Sequence, residues 1–371
     1  MVNQNLNHEN IFKIKKNTFL SKSNILLKLY KTAVYLRLFE EKLAKEYHPA
    51  NQMRCPVHFC VGQESVPSAL KLILKKNDYV FSHHRSHGYF YSKSLPLQKL
   101  VSELYGKKGG ANAGFAGSQD ISYPKGNFFS GAILAGAIGI AVGKALDIKL
   151  NKKKNVVIAG FGESACDVGL FWESVNFANL KRLPILFICE NNNYSVFSPQ
   201  NKRQSGHNIF KKVQCFNLKL NSFQINGNDI DLVYRTIKKL IKLIKKNQGP
   251  FFLETITYRI SAHYGPNSDL DVGYRSKNEL IKWINNCPIK NLENFLISKK
   301  YLTKSTIIKL SNKYSKEIES FINAAKKDKF LKTKDLEKFN YDNEIFKEFK
   351  IKKLLPEYYN LSANKEKIIG Y

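Results

Sequence analysis

The sequence predicts an α/β protein in which a mainly parallel sheet is covered by helices on both faces, and three observations predict it. Short apolar runs at Val156 to Ala159 and Ile185 to Cys189 enclose a stretch whose apolar residues, Val168, Phe171, Trp172, Val175 and Leu180, recur along a helix, so the order reads strand, helix, strand. The alternation returns further on, as a strand and turn over Ser222 to Asp229, a basic helix from Leu232 to Lys246 and a strand from Phe251 to Tyr258. The length of 371 residues suits one large α/β domain with a helical appendage.

Taken in order, residues 1–22 are polar and read as a loosely attached arm. Ser23 is a candidate N-cap for an amphipathic helix from Ile25 to Tyr47, with Leu26, Leu29, Val34, Leu38 and Leu43 on its packing side. A short run from Met53 to Glu64 carries His58. The segment Tyr79 to Gly88 begins like a strand and ends in His83, His84, Arg85 and His87. Arg85 offers a planar, permanently charged fork suited to phosphate, and the histidines can donate N–H bonds or exchange protons near neutral pH. A dedicated metal centre there would need carboxylates or cysteines that the segment lacks.

From Gly106 to Gly143 small residues dominate, first as a long loop and then as a helix. In that helix Gly136, Gly139 and Gly143 share a face and would admit a close neighbour. The polar stretch from Tyr258 to Arg275, with Arg259 and His263 at its start, has the length of a functional loop. Residues 276 to about 329 continue as lysine-rich helices, one beginning at Cys287-Pro288 and another after Leu302-Thr303. The expected division is thus an arm over 1–22, a domain over 23–330 and a lysine-rich tail over 331–371.

Lysine and arginine number 60 against 30 acidic residues, a net charge of +30. The lysines are spread along the chain, and nothing resembles a helix-turn-helix, a zinc finger or an RNA-binding signature. The charge therefore reads as a solvated basic surface that suits an acidic protein partner better than nucleic acid. No apolar run is long enough to span a bilayer, the nearest being Gly131 to Gly143. The N-terminus lacks the order of a secretory signal and, with Glu9 and few arginines, that of a transit peptide, so a cytoplasmic protein is expected. The six cysteines show no CxxC pairing and are expected to be free thiols.

The chemistry concentrates after the two central strands. Gly162, Glu163 and Ser164 place small residues around one carboxylate, where a helix N-terminus could offer N–H groups to an anion. The second strand ends in Asn191, Asn192 and Asn193. Parallel strands bring their carboxyl ends to one edge, so Glu163 and Asn192 could meet there. A carboxylate, an amide oxygen and a backbone carbonyl are the hard ligands that Mg²⁺ accepts.

These residues resemble the thiamine diphosphate motif, Gly-Asp-Gly followed at a distance by Asn-Asn. The run Leu183 to Tyr194 and the segments around it are similar to the alpha subunit of the decarboxylating component of the 2-oxo acid dehydrogenases. Glu163 stands where the family has Asp, and Ser164 where it has the second Gly. The resemblance spans about residues 25 to 330 on five separated motifs, among them Arg37-Leu-Phe-Glu-Glu41 and Gly62-Gln63-Glu64.

It implies a thiamine diphosphate-binding fold. It also implies cofactor contacts at His84, Arg85, Ala132, Leu134, Gly162, Glu163, Ser164, Ala165, Asn192, Arg259 and His263. Within that set the backbone of Ala132 would bond the aminopyrimidine and Leu134 would hold the cofactor bent. Mg²⁺ would be held by Glu163, Asn192 and Tyr194. Catalytic histidines are implied at His58, beside the reacting ring, at His87, at the mouth of the site, and at His263 in the loop over the diphosphate.

The implied activity is decarboxylation of a 2-oxo acid, with the acyl or hydroxyalkyl group passed to lipoamide or another acceptor. The implied assembly is an α₂β₂ heterotetramer whose beta subunit supplies the activating glutamate, with a lipoyl acyltransferase as a further partner. Two alternatives stay open. One is a thiamine diphosphate-dependent carboligase or synthase subunit; the other is a degenerate, non-catalytic relative that acts as an interaction protein.

Overall fold

A computed structural model of the chain describes residues 8, 11, 19–47, 53, 55–206, 208–216 and 221–332. The chain divides into a unit of residues 1–329 and a terminal unit of residues 330–371, the latter described only through residue 332. The tail expected from residue 331 therefore lies almost wholly outside the described residues.

The chain enters through α1 (Ser23–Tyr47) and α2 (Ser65–Ile73), reaches β1 (Tyr79–Ser82), and continues through α3 (His87–Ser92) and α4 (Leu97–Leu104) to two short strands, β2 (Ser122–Tyr123) and β3 (Phe128–Ser130). Next come α5 (Gly136–Leu150), β4 (Val157–Gly162), α6 (Gly169–Leu180) and β5 (Ile185–Asn191). A small hairpin of β6 (Tyr194–Ser195) and β7 (Ser198–Pro199) leads to α7 (Ile209–Gln214), β8 (Asn221–Asn226), α8 (Ile230–Ile244) and β9 (Phe251–Ile256). Three helices follow, α9 (Lys277–Asn285), α10 (Pro288–Ser298) and α11 (Lys304–Lys327). No helix among the described residues is long and apolar enough to cross a membrane.

The seven-stranded sheet runs β2-β3-β1-β4-β5-β9-β8, parallel throughout except for the antiparallel β2–β3 pair at one edge. Alternation along the central strands feeds two cores. Ile158, Leu186, Ile188 and Leu253 face the layer of α1, α2 and α8, whereas Val157, Ala159, Phe187 and Phe252 face α5 and α6. Burying each such side chain contributes about 1.5–3 kcal/mol, and burial on both faces is why these strands read as unbroken apolar runs. The fold is thus the expected α/β sheet with helices on both faces.

Local sequence accounts for the boundaries. Asp229 caps α8 by accepting from Leu232 N at 2.9 Å, Thr303 caps α11 by accepting from Thr306 N at 3.2 Å, and Pro288 opens α10 behind Cys287. Three expectations are corrected. Ser23 lies inside α1 and is not its cap. The arm is anchored where it is described, because His8 Nε2 reaches the carbonyls of Asn191 at 3.0 Å and Thr257 at 3.1 Å, and Ile11 is buried beside Tyr194, Tyr258 and Trp283. The residues after β4 do not enter α6 directly. Glu163–Asp167 form a 3-10 turn first, so the helix N-terminus stands at Gly169, a turn beyond the carboxylate.

Chain order puts the site at one place. From β1 the chain passes to β3 on one side, and from β3 it crosses to β4 on the other, so the carboxyl ends of β1 and β4 open a crevice where strand order reverses.

Candidate active site

The crevice is narrow and partly open to solvent. Its walls are the end of β1 and the chain after it (Ser82 to His84), the segment Gly131 to Ala135 after β3, Gly160 to Gly162 at the end of β4, and Ser164 and Ala165. At Gly131 and Gly162 an added Cβ would meet nothing within 4 Å, so bare backbone faces the space. Ala135 holds a left-handed conformation, φ 62°, which an alanine adopts at a cost and which turns the chain into α5 beside the crevice. Of the expected contacts, Leu134, Gly162, Ser164 and Ala165 all line it. Ala132 lines it too, but its N–H is taken by Asp120 Oδ1 at 2.7 Å, so a contact to an aminopyrimidine falls to its carbonyl.

Beside the crevice stand three imidazoles drawn from three segments. The ring centroids of His58 and His84 lie 4.7 Å apart, those of His58 and His263 5.0 Å, and those of His84 and His263 5.2 Å. Arg85 ties the segments together, its Nη1 donating to the Phe59 carbonyl at 2.5 Å and its Nη2 to the His263 carbonyl at 3.1 Å. Burial, reinforced by the Arg85 charge, pushes His58 down to about 2 and His263 to about 3. His84 is pushed well below its usual range by burial and by the neighbouring His83 and Arg85. All three rings are therefore neutral at pH 7. Nδ1 of His58 is buried with no partner among the described residues, which marks it for a ligand. The ring nitrogens lie within 4.8 Å of one another and could also hold a metal ion. His84 lines the crevice, and the rings of His58 and His263 pack against His84.

The loop bearing His58 is pinned to α1. Glu40 accepts from Cys60 N at 2.8 Å, and Arg37 grips Glu64 through Nε at 2.6 Å and Nη2 at 3.0 Å, while Glu64 also accepts from Gly62 N at 2.8 Å. His87 belongs to this framework and not to the mouth where it was expected. It is fully buried, with Nδ1 2.9 Å from Glu40 Oε1 and Nε2 3.0 Å from Ser118 Oγ, because it opens α3 facing inward. Both nitrogens are occupied, so its role is to position the loop.

Arg259 is likewise turned into its own loop, donating to Asp269 at 3.3 Å, to the Tyr274 hydroxyl at 2.7 Å and to the Val196 carbonyl at 2.6 Å. Its Nε is buried without a partner among the described residues. Asp269 also pairs with Arg275 and accepts from His263 N at 3.1 Å, and so sets the height of His263.

The end expected to hold Mg²⁺ is built differently. Glu163 is buried, and Arg203 Nη2 sits 2.5 Å from its Oε1; Arg203 Nη1 bonds Asp167, and its Nε donates to the Ser198 carbonyl at 3.2 Å. Gln204 Nε2 closes the turn, donating to the Glu163 carbonyl at 3.0 Å and to Asp167 at 2.6 Å. Burial holds the Glu163 carboxyl above its usual range, and Arg203 partly offsets the shift.

Across from it, Asn192 Oδ1 accepts from Tyr194 N at 3.2 Å and its Nδ2 donates to Gln63 at 3.3 Å, while the Tyr194 hydroxyl donates to Glu279 at 2.7 Å. Gln63 in turn donates to Glu190 at 3.4 Å, which holds Tyr89 at 2.7 Å. The Tyr89 ring lies so close over β4 that a Cβ at position 160 would stand 2.3 Å from it, so only glycine fits at Gly160. Glu163, Asn192 and Tyr194 as arranged do not fit a Mg²⁺ shell, because the carboxylate that would anchor it already holds a guanidinium.

Arg203 and Gln204 stood in no motif; Glu40, Gln63 and Glu190 stood inside motifs without a role of their own, and Asp167 and Asp269 were given none. The signal that could have found Arg203 is the lengthening of Asp to Glu at position 163, which calls for a cation slightly farther away.

A family profile described as "Dehydrogenase E1 component" matches residues 30–334. The pyruvate dehydrogenase E1 component subunit alpha of Porphyra purpurea is 29% identical over 308 residues, 81% of this chain and 88% of that one. The subunit of the same name from Rickettsia typhi is 29% identical over 282 residues, 76% and 85% of the two chains. A mitochondrial one from Sminthopsis macroura is 29% identical over 295 residues, 79% of each. With the switch-point crevice and the histidine wall in the places that the motifs imply, the chain belongs to the dehydrogenase E1 component family, as an alpha component of the thiamine diphosphate-dependent 2-oxo acid dehydrogenases.

Proposed function

We propose that this chain is the alpha subunit of an enzyme that decarboxylates pyruvate, or a 2-oxo acid close to it in size, and passes the acyl group to lipoamide on an acyltransferase partner. The observation that carries the reading is the crevice itself: bare backbone at Gly131 and Gly162 beside three neutral imidazoles, His58 buried and His84 and His263 half-buried. The names of the relatives support pyruvate.

Thiamine diphosphate, when bound, supplies the electron sink that lets a 2-oxo acid lose CO₂. The chain's own residues bind and orient. Ala132 and Leu134 would meet the rings, and Gly162, Ser164 and Ala165 the diphosphate end, with Arg85 and Arg259 as fixed positive charges behind them. His58 Nδ1 and the ring of His263 can hydrogen-bond the substrate as neutral groups, since burial disfavours their protonation.

A beta subunit, in an α₂β₂ assembly, belongs to the same proposal. Ile133, Ile140, Leu170, Phe177 and Leu180 are exposed around α5 and α6, and an added Cβ at Gly143 would meet nothing within 4 Å. An apolar face of that kind beside a crevice supports a partner that completes the site. The net charge of +30 favours an acidic one.

The test is CO₂ release from a series of 2-oxo acids by the alpha–beta assembly, with an artificial electron acceptor. The expected result is thiamine diphosphate-dependent turnover that His58→Ala lowers by about 10²-fold or more at unchanged thermal stability. An assembly that binds the cofactor but joins the 2-oxo acid to an aldehyde would support the carboligase alternative. One that binds no cofactor would support the non-catalytic alternative.

A further inference from the structure

We infer that the amino-terminal edge of the sheet is a docking groove for an acidic peptide segment of a partner protein. The inference does not rest on the cofactor reading, because the groove lies on the edge opposite the crevice. Strands β1, β4, β5 and β9 are parallel, so the carboxyl ends that open the crevice leave Tyr79, Val157, Ile185 and Phe251 at the other edge.

Three observations lead to it. First, the connections that enter these strands gather cations far apart in sequence. One cleft is lined by Lys149, Lys152, Lys153, Lys154, Arg182 and Lys245. A second, lined by Lys75 and Lys76, shares Lys153, Lys154 and Lys245 with it, so the two form one groove. All of these cations are exposed. Second, the carboxylates that would balance them are absent or already used. The one acid among the lining residues, Asp78, is buried; it accepts from Lys75 N at 2.9 Å and Val156 N at 3.0 Å and pairs with Lys245 at 3.4 Å. Asp147 is held by Lys144 at 2.8 Å and shared with Lys153 at 3.8 Å. Among the described residues no ion pair joins Lys75, Lys76, Lys152, Lys154 or Arg182.

Helix ends account for part of this. α2, α5, α6 and α8 all finish at this edge, and the carbonyl end of a helix favours a cation by about 0.3–1 kcal/mol. That explains cations at the edge but not their crowding without acids, since like charges repel until an anion lies between them. Two are also placed at a cost. Lys152 and Arg182 hold left-handed backbone, φ 52° and 47°, two residues past the ends of α5 and α6, where glycine is the ordinary choice. Third, the lining suits a peptide. It carries no aromatic side chain on which the bases of a single nucleic acid strand could stack. Leu150, beside Lys149 and 71% exposed, offers an apolar anchor that an acidic peptide can use and a phosphate backbone cannot. The cations face one another across a cleft, which a chain can enter and a flat lipid surface cannot.

The test is fluorescence anisotropy of a labelled peptide of glutamates with interspersed leucines, titrated with the alpha–beta assembly at physiological salt. Lys76→Glu with Lys154→Glu reverses charge in both halves of the groove. Lys309→Glu with Lys313→Glu makes the same change in net charge on the exposed face of α11. The groove pair is expected to weaken binding about 20-fold or more and the α11 pair less than about threefold, with thermal stability and turnover unchanged in both. Equal losses from the two pairs would mean attraction to net charge alone and would overturn the inference. So would an absence of peptide binding by the wild-type assembly. Tighter binding of a single-stranded oligonucleotide, or of vesicles of anionic lipid, that the groove pair abolishes would overturn it as well, in favour of that occupant.

Discussion

The two ends of the crevice are held by the same kind of contact, an arginine on a buried glutamate, to opposite effect. At the histidine end, Arg37 and Glu64 lie in the framework, 17% and 0% exposed, and their pairing leaves His58 free to face a ligand. At the other end, Arg203 grips Glu163, the residue that was itself expected to face the ligand. A pair placed behind a functional group presents it, whereas a pair formed by the group replaces its charge. The first end leaves a histidine nitrogen open to a ligand, and the second turns a carboxylate onto a guanidinium.

The comparison is broken most directly at Glu64. Glu64→Ala strands Arg37 in a nearly closed position and releases Gly62 N, so the unfolding free energy from urea titration is expected to fall by about 3–5 kcal/mol, with the His58 loop displaced and activity falling with it. A loss below about 1 kcal/mol would mean that the framework does not depend on this pair.

The second effect is on acid stability. His58 and His263 titrate near 6.5 when unfolded but are pushed to about 2 and about 3 when folded, so between these values the unfolded chain binds more protons. Stability from these rings is complete above about pH 6.5 and is lost as pH falls below it. At pH 5 each ring costs about 2 kcal/mol, and His83 and His84 shift in the same direction. Melting temperatures of wild type and of His58→Gln with His263→Gln, followed from pH 7 to pH 5, should diverge, the wild type falling faster. Parallel curves would contradict the buried, neutral rings.

The smallest effect is expected at Glu163. Glu163→Gln removes a charge that burial already disfavours, and Arg203 keeps its bonds to Asp167 and the Ser198 carbonyl, so stability should change by about 1 kcal/mol or less. A loss as large as that of Glu64→Ala would erase the difference between the two ends.

What the sequence disclosed follows the range of the forces involved. The strands β4, β5 and β9 and the helices between them were legible because apolar periodicity is local, and the crevice followed from parallel strands ending on one edge. The histidine wall was legible as a set of candidates, since His58, His84 and His263 each stood in a motif. Their mutual approach and the burial that makes them neutral depend on Arg85 reaching carbonyls of two distant segments. His87 was misplaced because a motif gives residue type and not direction; a ring that opens an inward-facing helix looks the same in sequence as one at a mouth. Arg203 was silent for a related reason. It sits forty positions from Glu163 in a run of polar residues, and only the hairpin after Asn193 brings the two together.

The central claim is that this crevice is a thiamine diphosphate site, and calorimetric titration of thiamine diphosphate into the alpha–beta assembly tests it most directly. The account predicts one site per alpha chain with a dissociation constant on the order of micromolar. A folded assembly that gives no heat of binding, with Mg²⁺ or without it, would contradict the claim.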